Sequence, residues 1–245
     1  MLRLVDEKVN APTLVPDKPI LVISDLQLPY EHKNALQFCY SLRQRFDIPD
    51  ENILNVGDEI DNFHGSAYPK DPDAPDSAVN EFALVRSKID MWRRKFPIMK
   101  LAISNHGLRW VKKASEAAIP SHVLKAYNEI FKLPEGWVHK EEWRFSTGLK
   151  MPFRMIHGMG YSGILGHRNA ALDGQISTIM GHLHSHAGVN WIQTNGGARM
   201  WSCNSGSLID NDAFAFKYEK YNRIKPQIGC VVIFDYGRCP VFFPL

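Results

Sequence analysis

The sequence predicts a single α/β domain. The first hundred residues alternate short apolar runs with helical periods in the order strand, helix, strand, helix, strand, which favours parallel strands joined by crossover helices. Beyond Trp137 the chain becomes strand-rich and carries hairpin signals. With 245 residues, 44% of them hydrophobic, there is enough material for one large core. No repeat, low-complexity tract or linker divides the chain, so one domain is expected over 1–245, with an irregular arm over 1–18.

Taken in order, Pro19 to Ile23 reads as a buried strand ending in Ser24-Asp25. Ala35, Phe38, Leu42 and Phe46 follow a helical period, predicting a helix over 33–46. Asn52 to Val56 is a second strand, broken by Gly57-Asp58. A loop rich in Pro and Asp follows, and Ser77 stands where it can cap a helix striped by Phe82, Val85, Ile89, Trp92 and Phe96. Met99 to Ile103 is a third strand, and a helix is expected from Ser121 to Phe131. Candidate strands then cover Trp137–Phe145, Phe153–Ile156 and Ile176–Met180, with a short helix near 163–172. Val189–Thr194 and Arg199–Cys203 form a hairpin around Asn195-Gly196-Gly197. A last hairpin joins Cys230–Phe234 to Pro240–Phe243.

Composition narrows the function. A net charge of +3, from 29 basic and 26 acidic residues, is too mild to mark a nucleic-acid protein. The longest apolar runs fall far short of the about 20 residues a membrane helix needs. Asp6, Glu7 and Lys8 stand where a signal peptide would have its apolar core, so a cytoplasmic location is expected. The four cysteines show no CxxC spacing and read as reduced; Cys230 and Cys239 flank a turn as candidate cross-strand neighbours.

The chemistry concentrates at strand ends, where ligand sites of open α/β sheets lie. Asp25 with Gln27, Gly57-Asp58 and Asn105-His106 end the first three strands; His157, then His182 and His184, follow later ones. Residues two apart on a strand share a face, so Asp25 and Gln27 can reach one site together, as can His182 and His184. Carboxylates, amides and imidazoles in this mixture suit Mn²⁺, Fe²⁺ or Zn²⁺ in number enough for two ions. Two ions about 4 Å apart can generate a hydroxide and clamp a transferring phosphoryl group, with Asp58 as the natural bridge.

D-x-Q, GD, NH, HG and GHLH, in this order and spacing, resemble the five motifs of the calcineurin-like metallophosphoesterase superfamily. Asn204-Ser205-Gly206-Ser207 is similar to the NPGS turn of its small bacterial members, and the opening D-L-Q with a following Pro looks like phage phosphoesterases. The resemblance covers roughly residues 19–210. It implies a sandwich of two mixed β-sheets flanked by helices. Asp25 and His184 would bind one metal and Asn105, His157 and His182 the other, with Asp58 between them. His106 would be the catalytic histidine, polarising the phosphate or protonating the leaving oxygen, and a metal-activated hydroxide would attack directly.

Three departures bear on the chemistry. Gln27 stands where most members have a ligand histidine, so it either binds weakly, favouring Mn²⁺ over Zn²⁺, or bonds to a metal water. Fe and Ni are the remaining candidate metals. Gly107 replaces an acidic residue that would support the site, and Asn62 replaces the arginine of the phosphoprotein phosphatases. Arg109 is a candidate phosphate contact; His64, His167 and His186 read as solvated or substrate-side.

The resulting expectation is hydrolysis of a small or nucleotide-like phosphoester by a phosphodiesterase or phosphatase, with loops 59–77 and 107–120 choosing the substrate. Two alternatives stand beside it: a DNA or RNA nuclease of the same mechanism, and a metal-binding scaffold without turnover. Six basic residues against one acid over Arg86–Lys100 read as a solvated helix face rather than a backbone track. No membrane partner is expected, and the oligomeric state is open.

Overall fold

The computed structural model describes residues 11–67, 77–211 and 224–245. β1 (Ile20–Ile23), α1 (Ala35–Arg45), β2 (Ile53–Asn55), α2 (Ala78–Lys95) and β3 (Met99–Ala102) alternate as the sequence predicts. α3 (Arg109–Glu116), α4 (Tyr127–Phe131), β4 (Trp137–Lys140), β5 (Glu142–Phe145) and β6 (Phe153–Ile156) follow. The described chain continues with α5 (Gly166–Gly174), β7 (Ser177–Met180), β8 (Gly188–Gln193), β9 (Arg199–Asn204), β10 (Gly229–Phe234) and β11 (Cys239–Pro244).

The strands build two sheets, in the orders β11-β10-β1-β2-β3-β4 and β5-β6-β7-β9-β8. In the first, β1 to β4 are parallel and β10 runs antiparallel beside β1. In the second, β6, β7 and β9 are parallel, with antiparallel β5 and β8 at the edges. Both sheets are therefore mixed.

Strand alternation sets the layers. Ile20, Val22, Leu54, Val56 and Ala102 meet Trp143, Phe153, Met155, Ile179 and Trp201 of the other sheet. Leu21, Ile23, Ile53, Met99 and Leu101 face the opposite way, onto Cys39 and Leu42 of α1 and Val85, Ile89 and Trp92 of α2. Ala171 of α5 packs on Ile192 and Met200 of the second sheet. The α/β class holds, with two mixed sheets flanked by helices. Ser77 caps α2 by accepting from the Asn80 amide, as its position implies. The Pro- and Asp-rich loop lies largely outside the described residues.

Four local expectations are corrected. The stretch 137–145 is two strands in different sheets: β4 pairs with β3 and β5 with β6. A continuous helix over 121–131 is interrupted where Ala126 takes extended backbone, which turns Tyr127 and Phe131 into the core with rings 4.9 Å apart. The expected loop over 107–120 contains α3. Cys230 lies opposite Phe243 and Cys239 opposite Phe234, so the two cysteines are not cross-strand neighbours. No helix among the described residues is long and apolar enough to cross a membrane.

Candidate metal centre

β1, β2 and β3 of one sheet and β6 and β7 of the other deliver Asp25, Asp58, Asn105, His157, His182 and His184 to one end of the sandwich. Candidate ligand atoms of Asp58, His157 and His182 all lie within 4.8 Å of one another, and so do those of Asp25, Asp58 and His184. Asp58 belongs to both groups. The backbone is left-handed at Gln27 (φ 50°), Asp58 (φ 50°) and His182 (φ 69°), a conformation that costs such residues about 1–3 kcal/mol each.

Two glycines make the approach possible. Gly57 (φ 103°) admits the turn before Asp58, and a Cβ there would stand 2.8 Å from the Ala102 carbonyl and 2.9 Å from His157 Nδ1. A Cβ on Gly181 would stand 2.2 Å from Asp25 Oδ1, so Asp25 packs directly against this backbone. The Asn204 side chain donates to the Leu183 carbonyl at 2.6 Å, which fixes the turn carrying His182 and His184. The segment 205–208 is tied to the end of β1 through Ser24 Oγ to the Ser205 carbonyl (2.6 Å) and the Leu208 amide to the Asp25 carbonyl (2.7 Å), and to the end of β7 through the Ser205 amide to the Met180 carbonyl (2.9 Å).

Hydrogen bonds orient the imidazoles. His157 Nδ1 donates to the Val56 carbonyl at 2.9 Å, which turns Nε2 toward Asn105 Oδ1 (2.8 Å) and Asp58 Oδ2 (3.4 Å). His184 Nε2 accepts from the Gln27 amide nitrogen at 3.1 Å while lying 3.1 Å from Asp25 Oδ2. In each group, lone pairs converge where only a proton or a cation relieves their repulsion. Asp25 Oδ1 and the Gln27 carbonyl oxygen are buried without a hydrogen-bond partner among the described residues. Oxygen and nitrogen donors, buried orphan oxygens and a shared carboxylate together fit a pair of divalent cations. Gln27 itself touches the His184 ring through its nitrogen, leaving its carbonyl oxygen unused.

Burial pushes the Asp58 carboxyl up, but His106 and His157 beside it outweigh that and hold it well below the usual carboxylate range. Burial pushes His157 down, yet Asp58 lifts it to about 9. His182 is lowered by burial and by the neighbouring His157. These opposed shifts are what a compact cluster of charged groups produces, and they concentrate at functional sites.

His106 is 7% exposed and lies beside Asp58, its amide donating to Asp58 Oδ1 at 3.2 Å. Its Nδ1 lies 2.9 Å from both the carbonyl and Oδ1 of Asp61. Its Nε2 accepts from the Arg109 guanidinium at 2.9 Å, and Arg109 also donates to the Asp61 carbonyl at 2.6 Å. The Asn62 side chain donates to the His106 carbonyl at 2.9 Å. Asp61 thus supplies the carboxylate that Gly107 cannot. The Gly107 amide turns to Ser104 Oγ at 3.3 Å.

Sequence reasoning gave no role to Asp61, Glu59, Glu81 or Tyr127. Glu59 pairs with His139 at 2.9 Å in the core, with the Tyr127 ring 5.6 Å from that imidazole. Burial and the Glu59 carboxylate push the Tyr127 phenol well above its ordinary value. GDxxD spacing could have pointed to Asp61; nothing local marks the other three. His167 is not solvated: it is buried against Asn190, and burial lowers it.

No protein-family model matches the chain, and no curated protein matches it significantly.

Proposed function

We propose that this chain is a metallophosphoesterase of the calcineurin-like sandwich type, hydrolysing a small or nucleotide-like phosphoric ester at a dinuclear centre. The observation that carries the reading is the membership of Asp58 in both Asp/His groups, the arrangement that two closely spaced cations require. Asp25, Asp58 and His184 would hold one ion, with Gln27 bearing on His184. Asp58, Asn105, His157 and His182 would hold the other. Bound divalent ions, Mn²⁺ being one suited to this mixed oxygen and nitrogen set, would supply Lewis acidity and lower the pKa of water.

The remaining work falls to protein groups. Arg109 presents a guanidinium suited to two phosphate oxygens. Asp61 fixes the tautomer of His106 by accepting from Nδ1, so Nε2 is left to accept from Arg109 and order its guanidinium. Ordering both groups before substrate arrives lowers the entropic part of the barrier.

The polynucleotide alternative draws little support from α2 and β3. Arg86 donates to the Ile130 carbonyl, Lys88 pairs with Glu31, Arg93 with Asp90, and Lys95 lies over Tyr40. Lys100 donates to the Glu51 carbonyl. Cations engaged this way do not form a track for phosphates.

The deciding experiment is hydrolysis of bis-p-nitrophenyl phosphate by metal-stripped protein with and without added Mn²⁺. Mn²⁺-dependent turnover is expected. Metal binding without turnover on this diester or on a p-nitrophenyl monoester would sink the enzyme reading and favour a scaffold.

A further inference from the structure

Beside His106 and Asp61 stands a second imidazole–carboxylate pair. Glu81 of α2 is fully buried, and its side chain reaches the short 3-10 turn at 63–65 that follows Asn62. Oε1 accepts from the Phe63 amide at 2.6 Å; Oε2 accepts from the His64 amide at 3.1 Å and from His64 Nδ1 at 2.9 Å. A carboxylate held by two backbone amides cannot swing away, so the His64 ring is fixed in tautomer and direction. It also places a negative charge where an imidazolium needs its counter-ion.

The turn borders the candidate centre. A Cβ on Gly65 would lie 3.0 Å from Arg109 Cβ, and Arg109 reaches His106. Tyr30 joins the two pairs: its ring meets Phe63 edge-on at 6.2 Å, and its hydroxyl is raised by burial and by the carboxylates of Glu81 and Asp61. That hydroxyl is buried without a hydrogen-bond partner among the described residues. Around this turn, Glu81 from α2 bonds His64, Arg109 from α3 packs on Gly65, and Tyr30 packs on Phe63.

The two imidazoles differ in what they can give. His106 Nε2 accepts from a guanidinium, which never releases its proton, so that nitrogen carries no hydrogen to donate. His64 is backed by a carboxylate and is 17% exposed through its side chain.

We propose that His64, oriented by Glu81, is a second substrate-contacting residue that protonates the departing ester oxygen, while Arg109, oriented by His106, holds the phosphoryl group. This rests on the phosphoesterase reading above. In the step, a hydroxide oxygen forms the new bond to phosphorus and the bond from phosphorus to the ester oxygen breaks. The imidazolium of His64 passes its Nε2 proton to that oxygen, leaving a neutral ring that regains a proton from water. The preferred substrates are consequently esters of poor leaving groups, such as alkyl or sugar hydroxyls, which need a proton on departure.

The test compares thymidine 5′-(p-nitrophenyl phosphate) with thymidine 5′-(phenyl phosphate), whose leaving groups differ in acidity while the nucleotide stays the same. In His64→Gln, turnover is expected to fall by about tenfold or less on the nitrophenyl ester and by roughly a further 10²-fold on the phenyl ester, the range of general-acid effects. Glu81→Gln should show the same bias to a smaller degree, and Mn²⁺ binding measured by calorimetry should be retained in both. Equal losses on the two esters, or no loss on either, overturn the proposal while leaving the phosphoesterase reading intact. A wild-type protein that binds Mn²⁺ but cleaves neither ester overturns both.

Discussion

The Arg109 guanidinium donates to His106 Nε2 at 2.9 Å while His106 Nδ1 lies 2.9 Å from the Asp61 carboxylate. The imidazole is thus held from both nitrogens, by a cation on the side facing the candidate centre and by an anion behind it. An ester phosphate entering here meets a donor group already in place.

Removing the ring should separate catalysis from metal binding. His106→Ala is expected to retain both Mn²⁺ ions and to lose about tenfold or more in turnover, because Arg109 loses the ring that orders it. Metal content by mass spectrometry beside kcat decides it; loss of an ion would make His106 a ligand.

Arg109→Ala should act mainly on substrate affinity. Its guanidinium bears on no member of the two Asp/His groups, so KM is expected to rise about tenfold or more with a smaller change in kcat. A large fall in kcat at unchanged KM would show that the guanidinium serves the transition state alone.

Asp58→Asn removes the carboxylate shared by both groups. The protein should bind at most one Mn²⁺ per chain and lose turnover by about 10³-fold or more. Two tightly bound ions in this variant would show that Asp58 is not the bridge.

Gly181→Ala tests how closely the backbone must approach Asp25. The new methyl would stand 2.2 Å from Asp25 Oδ1 and 2.5 Å from Val56 Cγ2. About 1–3 kcal/mol of stability should be lost, with weaker Mn²⁺ binding as Asp25 is displaced. A variant with unchanged melting temperature and unchanged affinity would mean that the Asp25 carboxylate does not need this backbone.

Lys100 makes stability depend on alkaline pH. Its side chain is 2% exposed, and burial lowers the ammonium to about 8 from its ordinary 10.5. Below pH 8 both folded and unfolded chains carry the proton, and folding bears the full cost of burying it. Between pH 8 and 10.5 the folded protein has released it while the unfolded chain still binds it, so this group's contribution to stability rises with pH. Lys100→Met should therefore melt higher than the wild type at pH 7, and the gap should close toward pH 10. A gap independent of pH would refute the assignment.

How much of this was legible in sequence follows from the range of each interaction. The strand–helix alternation through β3 could be read locally, because a period of two or 3.6 is written in consecutive residues. So could Asp25, Asp58, Asn105 and the three later histidines as candidates, since each follows an apolar run that a sheet ends on one edge. The halves of 137–145 could not be assigned to different sheets, because β4 is claimed by β3 and β5 by β6 through pairings set by the packed whole.

The sequence by itself determined an α/β chain with metal-capable residues at successive strand ends. Only the tertiary structure decided which of them meet: that Asp58 joins two groups, that Asp61 and Arg109 hold opposite sides of His106, and that Glu81 reaches across from α2 to His64. Arg109 and His106 are only three residues apart, but the other contacts join side chains from separate elements or loops. Their distances depend on how whole layers pack, and layer packing leaves no local periodicity to read.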